Sequence, residues 1–345
     1  MRGSLLLLIP ALLAASDAVA RARAVGHRSS PWATPACTVS TGLPSSGSLH
    51  GATLVRSKER SDPWSSVFTY GLALGAAPNT LYATRGGAIY ESTDAGCTWH
   101  IRASVPEALQ RPGDPARVIT QHSNRIYAYT SRHIVRVTYD TVETFALPTV
   151  MQQVAVDPAD PLHLRAIGTS GIVYDSHDGA RTWTRRGMVT ASLVLASEFD
   201  PTNFDRIILH TGAFGAVAIT TDGGKSWTYQ TQTWWRVDAL EISPADPKVV
   251  WLSGAAGVQS PELYRSTDGG KTFTQVVDYT SMMTHSSDML AAHPTDPRVV
   301  AVPLNIGIAI VTETTAVQRF TERGTWEAVW SPAGTLYFID QQFRY

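Results

Sequence analysis

Thr220-Thr-Asp222-Gly-Gly224-Lys-Ser226-Trp227 decides the fold, because it recurs along the chain. The same pattern returns as Ser92-Thr-Asp94-Ala-Gly96-Cys-Thr98-Trp99, Ser176-His-Asp178-Gly-Ala180-Arg-Thr182-Trp183 and Ser266-Thr-Asp268-Gly-Gly270-Lys-Thr272-Phe273. Thr138-Tyr-Asp140-Thr-Val142-Glu-Thr144-Phe145 is a degenerate copy, and the aspartates step by 46, 38, 44 and 46 residues. A further step of 46 reaches Thr314, in a decayed sixth copy. A Ser/Thr-x-Asp-x-Gly run at a hairpin lets the carboxylate accept backbone N–H bonds and pin its own turn. Glycine at the fifth position supplies a positive φ, and the aromatic residue opens the returning strand and buries its ring. Asp94, Asp140, Asp178, Asp222 and Asp268 therefore read as structural, since a carboxylate spent on its own turn is not free for chemistry.

A second repeat runs in phase with the first. Asp157-Pro158-Ala-Asp-Pro161, Asp200-Pro201-Thr-Asn-Phe204, Ser243-Pro244-Ala-Asp-Pro247 and His293-Pro294-Thr-Asp-Pro297 each precede a short apolar run such as Val249-Val250-Trp251-Leu252. Each unit then reads as four short strands every 40 to 50 residues, which is the period of a β-propeller rather than of a solenoid. Units starting near Ser66, Ala116, Met151, Leu193, Val237, Ser287 and Trp326 predict seven four-stranded antiparallel blades, with six as the alternative. The last unit supplies strands over 327–331, 335–339 and 342–345, and its fourth strand is expected from the N-terminal side, over Ala52 to Val67. That pairing of the chain ends would remove exposed sheet edges.

The rest of the sequence agrees with an exported all-β domain. Gly (26) and Pro (20) are plentiful and charged residues are only 17%, as many tight turns require. A net charge of −1 gives no nucleic-acid footprint. Residues 1–20 read as a signal peptide, with a basic start, an apolar run over Ser4 to Ala15 and cleavage near Ala20; that run is too short to span a bilayer. The expected location is secreted or periplasmic, as a monomer with no membrane span. Residues 21–50, rich in Ser, Thr, Pro and Gly, read as a flexible arm, leaving 51–345 as a single propeller. Two cysteines in an exported chain favour a Cys37–Cys97 disulfide over two free thiols.

The repeated hairpins resemble the Asp-box repeats of sialidases, xyloglucanases, sortilin-type receptors and photosystem II assembly factors. The resemblance spans about 66–345, and in layout it is nearest to the single-propeller assembly factors. It implies the fold far more strongly than any activity. The Arg-Ile-Pro signature of sialidases is missing, and xyloglucanases of this type set two propellers across a cleft, so no catalytic residue carries over from either family.

The hairpins and proline turns share one face, which directs functional candidates to the opposite rim. Asp238 and Asp288 each stand six residues before a turn proline, Pro244 and Pro294, and so open adjacent blades. Around them fall Trp234, Trp235, Arg236, Tyr279 and His285, with Arg132, Gln152, Gln153 and Arg186 from other blades. The rim reads as a binding surface for an exported protein or a glycan. The enzyme alternative is a glycoside hydrolase using Asp238 and Asp288 as its acid pair, and a lesser one is a secreted propeller that interacts with a protease. No cofactor is expected, and the ten histidines show no metal-ligand spacing, so no metal is expected either.

Overall fold

The structure, a computed structural model, describes residues 32–37, 46–49, 52–58, 71–85, 87–104, 117–122, 125–139, 141–190, 193–212, 216–231, 236–255, 262–278, 289–304, 307–313, 316–319 and 324–341. The predicted leader, residues 1–20, lies outside them. Among the described residues all the regular structure is β.

Five sheets of four antiparallel strands follow one another as meanders. The first holds Gly71–Leu74, Leu81–Arg85, Ala88–Ser92 and His100–Ser104. The second holds Arg117–His122, Arg125–Tyr129, His133–Thr138 and Thr141–Ala146. The third holds Met151–Asp157, Asp160–Gly168, Ile172–Ser176 and Thr184–Met188. The fourth holds Val194–Phe199, Ile207–Thr211, Ala216–Thr220 and Thr228–Thr231. The fifth holds Arg236–Ile242, Val250–Ala255, Glu262–Ser266 and Thr274–Asp278. The first strand of each sheet packs against the first strand of the next, and Gly324–Trp330 packs back against Gly71–Leu74. A propeller results, with its first strands innermost.

Position in the sheet explains the sequence of each strand. Second strands such as Ile207–Thr211 and Val250–Ala255 are buried at every residue, because both of their faces meet a neighbouring sheet. Fourth strands such as Thr184–Met188 lie at the outside and are mostly exposed or half-buried. Apolar layers between sheets form the core. Trp251, fully buried, packs with Leu290 and Val302 across one layer, and Tyr82 packs with Ile126 and Val135 across another.

The hairpins behave as their composition demands. Asp222 Oδ1 accepts from the backbone N–H groups of Lys225 and Ser226, both at 3.0 Å, and from Thr220 Oγ1 at 2.7 Å. Gly224 N donates to Thr220 Oγ1 at 3.0 Å, and Trp227 Nε1 donates to Gly224 O at 3.1 Å. Asp94, Asp178 and Asp268 repeat the carboxylate-to-backbone bond at 2.8–2.9 Å. The residues at both the fourth and fifth positions have positive φ, and Ala95 and Ala180 adopt it where other copies use glycine. Asp140 lies outside the described residues; the strands beside it meet at the pair Thr138–Thr141.

Among the described residues the sheets number six where seven blades were expected. The sixth and last sheet has eight strands: Ala291–Ala292, Val300–Leu304, Gly307–Val311 and Ala316–Arg319, then Gly324–Trp330 and Leu336–Gln341, then Ala52–Lys58 and Ser46–Leu49. A single parallel pair, Gly307 with Gly324, joins the two halves. Two glycines facing each other carry no side chains to hold the backbones apart, so the halves hydrogen-bond into one sheet. The chain ends also meet differently from expectation. Ala52–Lys58 lies parallel beside Leu336–Gln341, and Ser46–Leu49 adds a second N-terminal strand where one was expected. The predicted strand over 342–345 lies outside the described residues.

Parts of the stretch read as an arm are held in place. Cys37 is disulfide-bonded to Cys97, Ala33 N donates to Asn79 Oδ1 at 2.6 Å, and Trp32 packs beside Leu72, Leu81 and Tyr337.

Candidate functional site

Among the predicted rim residues, Asp238 and Arg236 touch each other. Arg236 Nε lies 2.9 Å from Asp238 Oδ1 and 3.0 Å from Oδ2, so the guanidinium engages both carboxylate oxygens. Arg132 sits in the turn after Arg125–Tyr129, and its carbonyl accepts from Leu147 N at 2.8 Å. Asp288, Trp234, Trp235, Tyr279 and His285 lie outside the described residues. Arg186 belongs to the hairpin face rather than the opposite rim. It donates to Gly223 O at 2.8 Å and Asp222 O at 3.1 Å, in the next sheet's hairpin, and to Asp175 Oδ2 at 2.9 Å. Its strand starts at Thr184, and two residues of extended chain advance only about 7 Å from the hairpin.

A different charged cluster gathers at the axis. Arg117, Glu198, Glu241 and Glu327 come from the innermost strands of four blades and act on one another electrostatically. Gln153 Nε2 donates to Glu198 Oε2 at 3.0 Å, Ser197 Oγ donates to Gln153 Oε1 at 2.9 Å, and Ala292 N donates to Glu241 Oε1 at 3.2 Å. These side chains keep some water-accessible surface while being enclosed by protein, as groups lining a narrow channel do. Burial pushes the Glu198 carboxyl up to about 7 against the pull of Gln153 and Arg117. Burial likewise pushes Glu327 up to about 8, with Arg117 opposing. Glu241 is raised well above the ordinary carboxylate range by burial and by repulsion from Glu198 and Glu327. Near neutral pH these carboxyls are poised to hold protons, and can donate as well as accept hydrogen bonds. The sequence carried a signal for two of them: Glu198 and Glu241 each stand three residues before a turn proline, inside a largely apolar strand.

Two further features lie on the hairpin face. Arg165, 1% exposed, donates Nε to Asp175 Oδ1 at 2.7 Å and Nη1 to Asp205 Oδ1 at 2.8 Å, tying the third sheet to the fourth. Burial acts to raise the Asp175 pKa, but hydrogen bonding and charge from Arg165 and the Arg186 charge outweigh it, and the carboxyl stays below its ordinary range. Between the fourth and fifth sheets opens a cleft of about 500 Å³, walled by Trp227, Arg206, Lys248 and Lys271.

This geometry defines a single β-propeller of small antiparallel sheets, and solved structures share it. The Ycf48 structure from Cyanidioschyzon merolae superposes with a TM-score of 0.61 at 14% identity, over 80% of this chain and 92% of that one. Ycf48 bound to D1 peptide gives 0.60 at 12% identity, over 77% and 87%. The GH74 enzyme of Niastella koreensis gives 0.55 at 16% identity, over 73% of this chain but 45% of that one. No protein-family profile matches the sequence. The dispase autolysis-inducing protein of Streptomyces mobaraensis is 33% identical over 326 residues, spanning 84% of this chain and 80% of that protein. The chain belongs to the family of that protein.

Proposed function

We propose that this chain is an exported, non-catalytic propeller that binds a secreted protease through the loops of its rim and promotes that protease's self-digestion. The observation that carries the reading is the 33% identity, over most of both chains, to a protein named for inducing dispase autolysis. The disulfide suits an oxidising compartment, and among the described residues no helix is long and apolar enough to cross a membrane. A glycosidase reading is less favoured, because the Asp238 carboxylate is already engaged by Arg236.

The domain plan belongs to the same reading: a leader over 1–20, an arm over 21–50 that is partly docked, and one propeller over 51–345. Its eight-stranded sheet acts as two blades, giving seven. In support, an apolar layer of Ala301, Ile308 and Ile310 against Trp330, Leu336 and Phe338 separates the two halves as other layers separate whole sheets.

The test is to incubate dispase with and without the purified chain, following intact protease by gel electrophoresis and residual casein hydrolysis. Intact dispase should disappear faster with the chain present. An unchanged protease lifetime, together with no complex on size-exclusion chromatography, would overturn the proposal.

A further inference from the structure

Three side chains of the third sheet converge on the hairpin face, away from the axial cluster. His163 comes from Asp160–Gly168, Asp175 from Ile172–Ser176, and His177 from the hairpin that follows. One ligand atom from each lies within 4.8 Å of the others. His163 Nδ1 faces Asp157 Oδ2 at 2.8 Å. That partner keeps the ring proton on Nδ1 and leaves the Nε2 lone pair available. Nε2 is buried, has no hydrogen-bond partner, and lies 3.7 Å from Asp175 Oδ2. A carboxylate behind one imidazole nitrogen, with the other nitrogen unsatisfied and close to a second carboxylate, is the arrangement that orients histidine toward a metal.

The repeats give an independent comparison. At the position of His177 the other three clear hairpins carry Thr93, Thr221 and Thr267. Asp175, just before the hairpin Ser, is matched by Glu91, Ile219 and Arg265. His163 follows Leu162, whose carbonyl accepts from hairpin Gly179; the equivalent acceptors Asp205 and Lys248 are followed by Arg206 and Val249. Only this one of the four clear repeats carries a metal-ligating side chain at all three positions, and the three meet in space. Arg165 and Arg186 contact Asp175 and oppose a cation, but Asp157, Asp175 and Asp205 outnumber them. Both guanidiniums are also anchored elsewhere, Arg165 on Phe204 O and Arg186 on Gly223 O.

We propose that His163, Asp175 and His177 form a site for a zinc-class transition metal ion, with Asp157 orienting His163. Two imidazoles and one carboxylate suit zinc and leave a position for water. The rings of His163 and His177 stack with centroids 4.3 Å apart, so metal–ligand bonds of about 2.0–2.2 Å require the His177 ring to turn out of the stack as the side chains draw together, a motion its exposure permits.

The experiment uses the untagged full chain, stripped with chelator and titrated with zinc chloride alone. One zinc per chain by mass spectrometry and a rise in Tm of a few degrees are expected. Cobalt(II) should give the visible bands of a low-coordinate site. His177→Thr installs the residue the other hairpins use, so the metal-free Tm should hold while zinc affinity falls at least tenfold. His163→Val, which copies Val249 of the fifth sheet, should lose the response as well, and Asp157→Asn should weaken binding by about 10- to 100-fold. A wild-type chain that retains no zinc, or a His177→Thr chain that binds it as well as wild type, would overturn the assignment.

Discussion

Glu327→Gln should stabilise the protein by an amount that grows as the pH rises from about 4.5 to about 8 and then levels off. A carboxyl that titrates at about 8 when folded against an ordinary 4.5 holds its proton more tightly in the folded state. Its contribution is fully present below about pH 4.5 and is lost as the pH rises through about 8. Once ionised, Glu327 weakens the folded state by at most about 5 kcal/mol. The partial exposure of the Glu327 side chain lets solvent screen the charge and moderates that cost, so about 2 kcal/mol is the working figure. Glutamine keeps the shape of the neutral acid without the option of ionising. Differential scanning calorimetry of both chains at about pH 4 and about pH 8.5 should give matching Tm values at the lower pH. At the higher pH the variant should melt roughly 4–8 °C above wild type. Equal Tm values at both pH values, or a variant less stable at pH 8.5, would show that the axis is wet enough to solvate the charge and that the reasoning is wrong.

Two further perturbations test other parts of the architecture. Breaking the disulfide with Cys37→Ser should cost about 4 kcal/mol on the loop-entropy account, given a sequence separation of 60; an unchanged Tm in reducing and non-reducing buffer would refute it. Asp175→Leu strands the buried Arg165 guanidinium and should cost about 3–5 kcal/mol. Arg165→Ile combined with Asp175→Ile should recover much of that loss, because Ile208 and Ile219 fill the same register in the next sheet. A double variant no more stable than the single one, by urea denaturation, would count against it.

What could be read from the chain was what is bonded locally. Each aspartate hairpin closes over four residues, from Asp222 to Ser226 for example, so composition alone specifies it. The Cys37–Cys97 pairing followed from there being only two cysteines. Features made by distant segments were harder to see. Gly307 and Gly324 fuse two halves of a sheet through one contact that no local pattern announces. Ser46–Leu49 has the composition of a linker and becomes a strand because Ala52–Lys58 lies beside it. At the axis, attention to residues six before each proline singled out Asp238, whereas the offset of three marks Glu198 and Glu241. The convergence of Glu327 and Arg117 with them depends on the circular arrangement of the sheets. The His163, Asp175 and His177 cluster escaped ligand-spacing rules because adjacent strands and a hairpin, not one helix or loop, bring it together.

The parallel pairing of Ala52–Lys58 with Leu336–Gln341 has a consequence for how the molecule is made. A chain that emerges from its N-terminus offers this strand early and its hydrogen-bonding mate almost last. Throughout synthesis the early strand must wait with an open edge, vulnerable to mispairing with other chains. Final assembly then depends on bringing together segments far apart in sequence, a slow step by its high contact order. A fusion that crowds either segment should therefore reduce the yield of folded protein more than one attached at an outer strand.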